Sequence, residues 1–264
     1  MVLVAATGCA GADAMTMTMQ QATPAVPAPN AELGLNPGEN MLFEVHLAGI
    51  LAGEAQLAVG ELGNVDGHRA IVVRSRAATA GAAALFKKIS DEATTVIDVD
   101  TGRPISLETV VEQGDKRITA SAKFTGNVAT VTYQRTGDKE AKSGVLNFGT
   151  TTVHDAHTAM AQLRGWKGTK GESRTVFVVG GRRLWRVDVT YAGEETIGSA
   201  LGNRRAVVFD GRSYRARNNM TIESDKPSRT FKVWLSDDAD RVPLKVTAVT
   251  ELGDIVMDLV EYNR

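Results

Sequence analysis

The chain reads as an all-β protein, mainly β with one central helix. Two curved antiparallel sheets from an internally duplicated chain would form a sandwich or an open barrel. Three observations predict this. Apolar and polar residues alternate with period two through most of the sequence after residue 38. Turn signals interrupt that alternation about every dozen residues, enough for about fourteen strands. The second half also repeats features of the first in the same order.

The alternation is clearest in Trp185, Val187, Val189 and Tyr191, which interleave with Leu184, Arg186, Asp188 and Thr190. Leu57 and Val59 share a face, and Ile118, Ala120 and Ala122 oppose Thr119, Ser121 and Lys123. Such patterns mark half-buried strands. Between them stand Asp66-Gly67, Thr101-Gly102, Gly114-Asp115, Gly126-Asn127, Gly202-Asn203 and Gly253-Asp254, which favour tight turns.

The repeat is read from matched segments. Gly38-Glu39 corresponds to Gly171-Glu172, Phe43 to Phe177, and Gly67 to Gly202. Asp100 to Pro104 corresponds to Asp238 to Pro243, and Gly114-Asp115 to Gly253-Asp254. The halves would span about 38–145 and 171–264. Each would be a curved sheet with one apolar face for the other to cover. A helix over Val153 to Arg164 would lie between them. Thr152 would cap it, Val153, Ala156, Met160 and Leu163 would form its apolar stripe, and Gly165 would end it. Residues 79–88 are Ala-rich and read as a second short helix or a loop.

Ahead of the body, residues 10–37 read as a disordered Pro/Thr/Met-rich tether holding four of the seven prolines. Twenty-eight such residues reach roughly 30 Å. Residues 1–9 resemble a truncated lipoprotein signal. Apolar and then small residues lead into Gly8 and Cys9, the one cysteine of the chain. Cys9 is therefore the expected lipidation site. The segment lacks a positive n-region, so either the start lies upstream or the match is accidental. With one cysteine there is no internal disulfide.

Composition excludes several classes. Thirty basic and thirty-one acidic residues leave a net charge of -1, so no general attraction to nucleic acid is expected. There is no apolar run of about eighteen residues that would span a membrane as a helix. No nucleophile elbow, phosphate-binding loop or dinucleotide fingerprint occurs.

Gly38-Glu39, Phe43, Gly49-Ile50, Ala52-Gly53, Asp98, Arg103-Pro104, Leu163-Arg164 and the run Trp234-Leu235-Ser236-Asp237-Asp238 with Arg241 and Pro243 carry a family resemblance. Gly253, Ile255, Leu259 and Tyr262 close it. Over roughly residues 38–262 the chain resembles a bacterial exported-protein family catalogued as domain of unknown function three-one-zero-eight. The resemblance implies a periplasmic or envelope-facing β protein and no particular activity. His154 and His157 depart from the apolar and hydroxyl residues that the resemblance leads one to expect in the helix.

Three groups are candidates for chemistry. His154 and His157, three apart, would share a helix face, but zinc needs further ligands, so no metal site is assigned. Asp237, Asp238 and Asp240 make an acidic turn that lacks the ligand spacing of a calcium loop and reads as a hairpin turn pairing with Arg241. Residues 174–217 hold nine arginines against four acids. From this stretch Arg183, Trp185 and Arg186, with Trp234 beyond it, are the candidate residues for binding a lipid, a glycan or an envelope protein partner. No cofactor and no catalytic residue are assigned.

The leading expectation is a non-catalytic envelope protein, anchored in the membrane by lipid on Cys9. It would be an outer-membrane lipoprotein facing the periplasm. It would bind an apolar or amphipathic ligand, or a partner in envelope assembly or transport. One alternative is a scaffold or surface component acting only through protein contacts. Another is an envelope-polymer hydrolase using His154 or His157 beside carboxylates.

Overall fold

The computed structural model describes residues 33–181, 183–250 and 253–264. The segment around Cys9 lies outside them, as does the tether up to residue 32. The packed body starts earlier than the composition suggests: Leu33 and Leu35 are buried against Val59, Ile71, Ile97, Val99 and Ala161.

The elements follow in chain order. The first half holds β1 (Asn40–Leu47), β2 (Ile50–Val59), β3 (Gly63–Val65), β4 (His68–Thr79), α1 (Gly81–Phe86), β5 (Ile89–Asp98), β6 (Arg103–Gln113), β7 (Lys116–Thr125), β8 (Val128–Arg135) and β9 (Lys142–Asn147). Next come the two-residue β10 (Val153–His154) and α2 (Ala156–Gly165). The second half holds β11 (Ser173–Gly180), β12 (Arg183–Ser199), β13 (Gly202–Ala216), β14 (Arg229–Ser236), β15 (Pro243–Thr250) and β16 (Gly253–Asn263).

The fold is all-β, with one difference from the two expected sheets. The strands make a single sheet in the order β10-β11-β12-β13-β14-β15-β16-β1-β2-β4-β5-β6-β7-β8-β9, with β3 beside β4. The seam is the pairing of β1 with β16, from Asn40 opposite Asn263 to Leu47 opposite Ile255. Left apart, those two strands would each expose a row of unpaired N–H and C=O groups. Joined, they fuse the halves. Every named pairing is antiparallel except β10 with β11.

The sheet also rolls up. Leu107, Ala122, Val131, Leu146 and Phe148 from its β9 end share a core with Val153, Val179, Leu184 and Ala216 from its β10 end. A second core gathers β1 and β11–β16 around Phe209, Leu235, Met257 and Leu259. Trp166 packs on Phe209 with ring centroids 5.3 Å apart.

The matched turns of the two halves fall on corresponding connections. In the β5–β6 turn Asp98 Oδ1 accepts from the amides of Asp100 and Thr101 at 2.9 and 3.0 Å. In the β14–β15 turn Asp238 Oδ1 accepts from those of Asp240 and Arg241, both at 3.1 Å. The acidic turn is thus a backbone-capping device. Its other carboxylates do not pair with Arg241 as expected. Asp237 meets Arg205 at 2.9 Å and Asp240 meets Arg264 at 2.6 Å.

The central helix begins three residues later than the apolar pattern predicts. Val153 and His154 run parallel to Phe177 and Val178 instead. Asp155, not Thr152, is the cap. Its carboxylate accepts from the amides of His157 and Thr158, and the Thr158 hydroxyl accepts from the Asp155 amide. That reciprocal box satisfies donors a helix start otherwise leaves open. The other end is held by a buried ion pair. Arg164 grips Glu39 with both terminal nitrogens and donates to the carbonyls of Asp240 and Arg241 at 2.8 and 3.0 Å. Gly34 crosses so close that any side chain there would strike Arg164.

Candidate ligand-binding cavity

The helix α2 lies inside the rolled sheet, and its two flanks differ. One flank faces β11, β12 and β14 across a cavity of about 130 Å³. A single water needs about 10–15 Å³ of such space. Val176, Val178, Val187, Val189, Phe231 and Val233 wall it from the sheet, and Ala159, Met160, Leu163 and Trp166 from the helix side. Strand alternation produces this wall. Val187 and Val189 point inward between the outward Arg186, Asp188 and Thr190. Phe231 lies flat across Gly211, where even a methyl group would collide with its ring. Glycine at this point lets an aromatic ring form part of the wall.

Three polar residues, His154, Gln162 and Arg174, also line the cavity. Arg174 reaches the cavity with its guanidinium 4.4 Å from the centroid of Trp166, more than half exposed and 3.3 Å from Glu172. His154 also lines it and is buried, and its Nδ1 has no hydrogen-bond partner among the described residues. Burial holds the His154 imidazole below its usual pKa, against the pull of Asp155, so the ring is neutral at pH 7.

The other flank of α2 is fastened by polar side chains from β4 and β5. Thr95 donates its hydroxyl to Asp155 Oδ2 and stands 2.7 Å from His157 Nδ1. Having given its one proton to the carboxylate, Thr95 must accept from the imidazole. His157 is therefore the Nδ1–H tautomer, and its Nε2 accepts from Ser75 Oγ at 2.9 Å. The chain runs Ser75, His157, Thr95, Asp155, each donating to the next. Burial lowers the His157 pKa as well. Asp91 sits half-buried near this chain, opposite Ala77 and Val111. Burial first, and the charge of Glu92 second, push its carboxyl up to about 7.

The four residues nominated from the arginine-rich strands do not converge. Trp185 points inward and is buried in the core, its indole N–H without a partner among the described residues. Arg186 lies on the outer face, paired with Asp188 at 2.9 Å. Arg183 is half-buried at the start of β12. Trp234 alternates with the buried Val233 and Leu235, and so faces outward, bonded to Glu195 and 5.5 Å from Lys232. His154 and His157 do not share a helix face, because His154 precedes the helix. Among the described residues, no group of three or more His, Cys, Asp or Glu side chains is placed to hold a metal ion. No described helix is long and apolar enough to cross a membrane. Sequence reading passed over Ser75, Thr95, Asp91 and the valine wall. The Asp155–Thr158 spacing was the one signal available for part of that group.

The comparisons with known proteins fit this architecture. The family described as protein of unknown function (DUF3108) matches residues 42–260. The chain belongs to that family. A beta-barrel-like protein of domain of unknown function DUF1849 from Brucella abortus matches in structure. Its TM-score is 0.58 at 13% identity, covering 85% of this chain and 96% of that one. At that identity the likeness speaks for the fold alone. Two looser likenesses are an exported protein with a YmcC-like fold from Bacteroides fragilis and the hypothetical lipoprotein YmcC from Escherichia coli. The first has a TM-score of 0.39 at 9% identity, covering 87% of this chain and 97% of that one. The second has a TM-score of 0.35 at 11% identity, covering 86% and 85%. No curated protein matches.

Proposed function

We propose that this DUF3108 protein is a binding protein of the bacterial cell envelope. It takes the apolar part of an amphipathic ligand into the cavity beside α2. The observation that carries this reading is the cavity itself, about 130 Å³, open to solvent on one side and lined mainly by valine, phenylalanine, methionine and tryptophan side chains. Apolar cavities of about this size accept apolar guests. Arg174, stacked on Trp166 at the exposed edge, suits a negatively charged head group on the same ligand. Acylation of Cys9 would hold the protein at the outer membrane, facing the periplasm. The likenesses described as exported or lipoprotein agree with an envelope setting without carrying it.

The test is displacement of a fluorescent acyl probe from the full chain, with native mass spectrometry of co-extracted lipid. Val187→Trp fills the cavity and is expected to abolish probe binding. Arg174→Ala is expected to weaken an anionic probe more than a neutral one. A wild-type chain that neither binds the probe nor carries lipid sinks the reading. Radiolabelled palmitate that never reaches Cys9 in the exporting cell removes the anchor.

A further inference from the structure

The chain on the polar flank of α2 does more than hold a helix. We propose that Ser75 and His157 are a nucleophile–base pair that hydrolyses an ester of an apolar acyl group. The geometry of the pair carries this, independently of the cavity on the other flank.

Ser75 Oγ donates to His157 Nε2 at 2.9 Å, the contact a serine needs to lose its proton as it attacks. The opposite ring nitrogen is committed to Thr95, and Thr95 to Asp155. This fixes the tautomer, leaves Nε2 as the basic atom, and places a carboxylate where positive charge on the ring would be stabilised. Thr95 and Asp155 are positioning residues in this scheme. Ser75 itself is half-buried, not sealed, whereas His157 is buried. Its neighbours on the inner face, Leu57 across β2 and Ala93 across β5, are apolar and half-buried. They suit an acyl chain. Asp91 lies on the same face, one residue pair further along the β4–β5 ladder, about 7 Å from Ser75 by cross-strand geometry. No hydrogen bond or ion pair holds its carboxyl among the described residues. Protonated, it can donate to the oxygen on which negative charge develops.

The step balances. Ser75 Oγ bonds to the acyl carbon while its proton passes to His157 Nε2. The ester C–O bond breaks, and the alcohol leaves with that proton. Water then attacks the acyl-serine, giving its proton to Nε2. The acid departs, and the proton returns to Ser75 Oγ.

The test uses the full chain with a fluorophosphonate probe, the modified residue being found by peptide mass spectrometry. Hydrolysis of p-nitrophenyl butyrate is the second readout. Labelling at Ser75 is expected. His157→Gln, which keeps a hydrogen-bonding side chain but no base, should slow labelling about 100-fold or more. The wild-type rate should rise with pH through an apparent pKa below the ordinary histidine value and fall again as Asp91, at about 7, loses its proton. The groups facing His157 are Asp155, Thr95 and Ser75, so the rising limb belongs to the imidazole. An unmodified Ser75, undiminished labelling in folded His157→Gln, or a pH-independent wild-type rate each overturns the proposal. The pH profile needs no variant, so it decides even if His157→Gln unfolds.

Discussion

The two flanks of α2 are built on opposite rules. Towards β4 and β5 the helix is joined by hydrogen bonds that satisfy every side chain in the chain from Ser75 to Asp155. Towards β11, β12 and β14 it meets the sheet through aliphatic surfaces that leave a void. A close-packed interior usually fills such a gap. Here the helix is pinned on one side, at its cap and at Arg164. It therefore does not need to collapse onto the other. Rigid anchoring on the polar flank is what permits an open apolar flank.

Breaking the anchoring should cost most. Glu39→Gln takes away the carboxylate from an Arg164 that is almost wholly enclosed. Stranding a buried charge costs about 3–5 kcal/mol. Urea unfolding of that variant should show a loss of this size, and a loss under about 1 kcal/mol would mean that the backbone carbonyls of Asp240 and Arg241 suffice.

Next comes the cap. Asp155→Ala removes the capping box and leaves the Thr95 hydroxyl without its acceptor, an expected loss of about 2–3 kcal/mol. Probe binding in the cavity should weaken in step, because the helix would be free to settle onto the valine wall. Unchanged binding would separate the two flanks.

The titrating groups give a smaller effect with a definite sign. His154 and His157 have folded pKa values below 6.5, so below that pH the unfolded chain takes up protons that the fold refuses. Their stabilising contribution is present above pH 6.5 and lost as the pH falls. Asp91 works the other way. Its folded pKa of about 7 exceeds 3.8, so the fold keeps a proton that the unfolded chain releases, and stability falls as pH rises between those values. Asp91→Asn should therefore stabilise the protein at pH 8, by about 1–2 kcal/mol once solvent screening of this half-buried group is allowed for. At pH 3.5 it should change little. Urea midpoints at the two pH values decide it.

The gentlest change is on the apolar flank. Val187→Phe places extra carbon in existing space, so stability should move by no more than about 1 kcal/mol. The acyl probe, which the wild-type chain is expected to bind, should nonetheless be excluded. A large destabilisation would show that the void is already closed in solution.

Much of the architecture was legible in the chain. Period-two alternation placed the strands, since a strand with one wet face and one dry face has no other way to arrange its side chains. The residues that carried the family resemblance were legible too, and their role is now physical. The buried pair of Glu39 and Arg164 is met by the carbonyls of Asp240 and Arg241, which the Ser236–Asp238 turn presents, and by Tyr262 Oη, 3.5 Å from Glu39. The residues that line the cavity were not legible as a group. A tryptophan among arginines looks the same in sequence whether it points inward, as Trp185 does, or outward, as Trp234 does. Only strand parity relative to the core separates them.

The sequence by itself determined the all-β class, the positions of its turns and the family, because these follow from local patterns of neighbouring residues. Tertiary structure decided that two expected sheets are one, since β1 and β16, the first and last strands, pair across the length of the sequence between them. It also decided that Ser75, Thr95 and His157 share a site and that valines from separate strands enclose a void. Those facts depend on contacts between residues dozens of positions apart, and no local pattern encodes such distances.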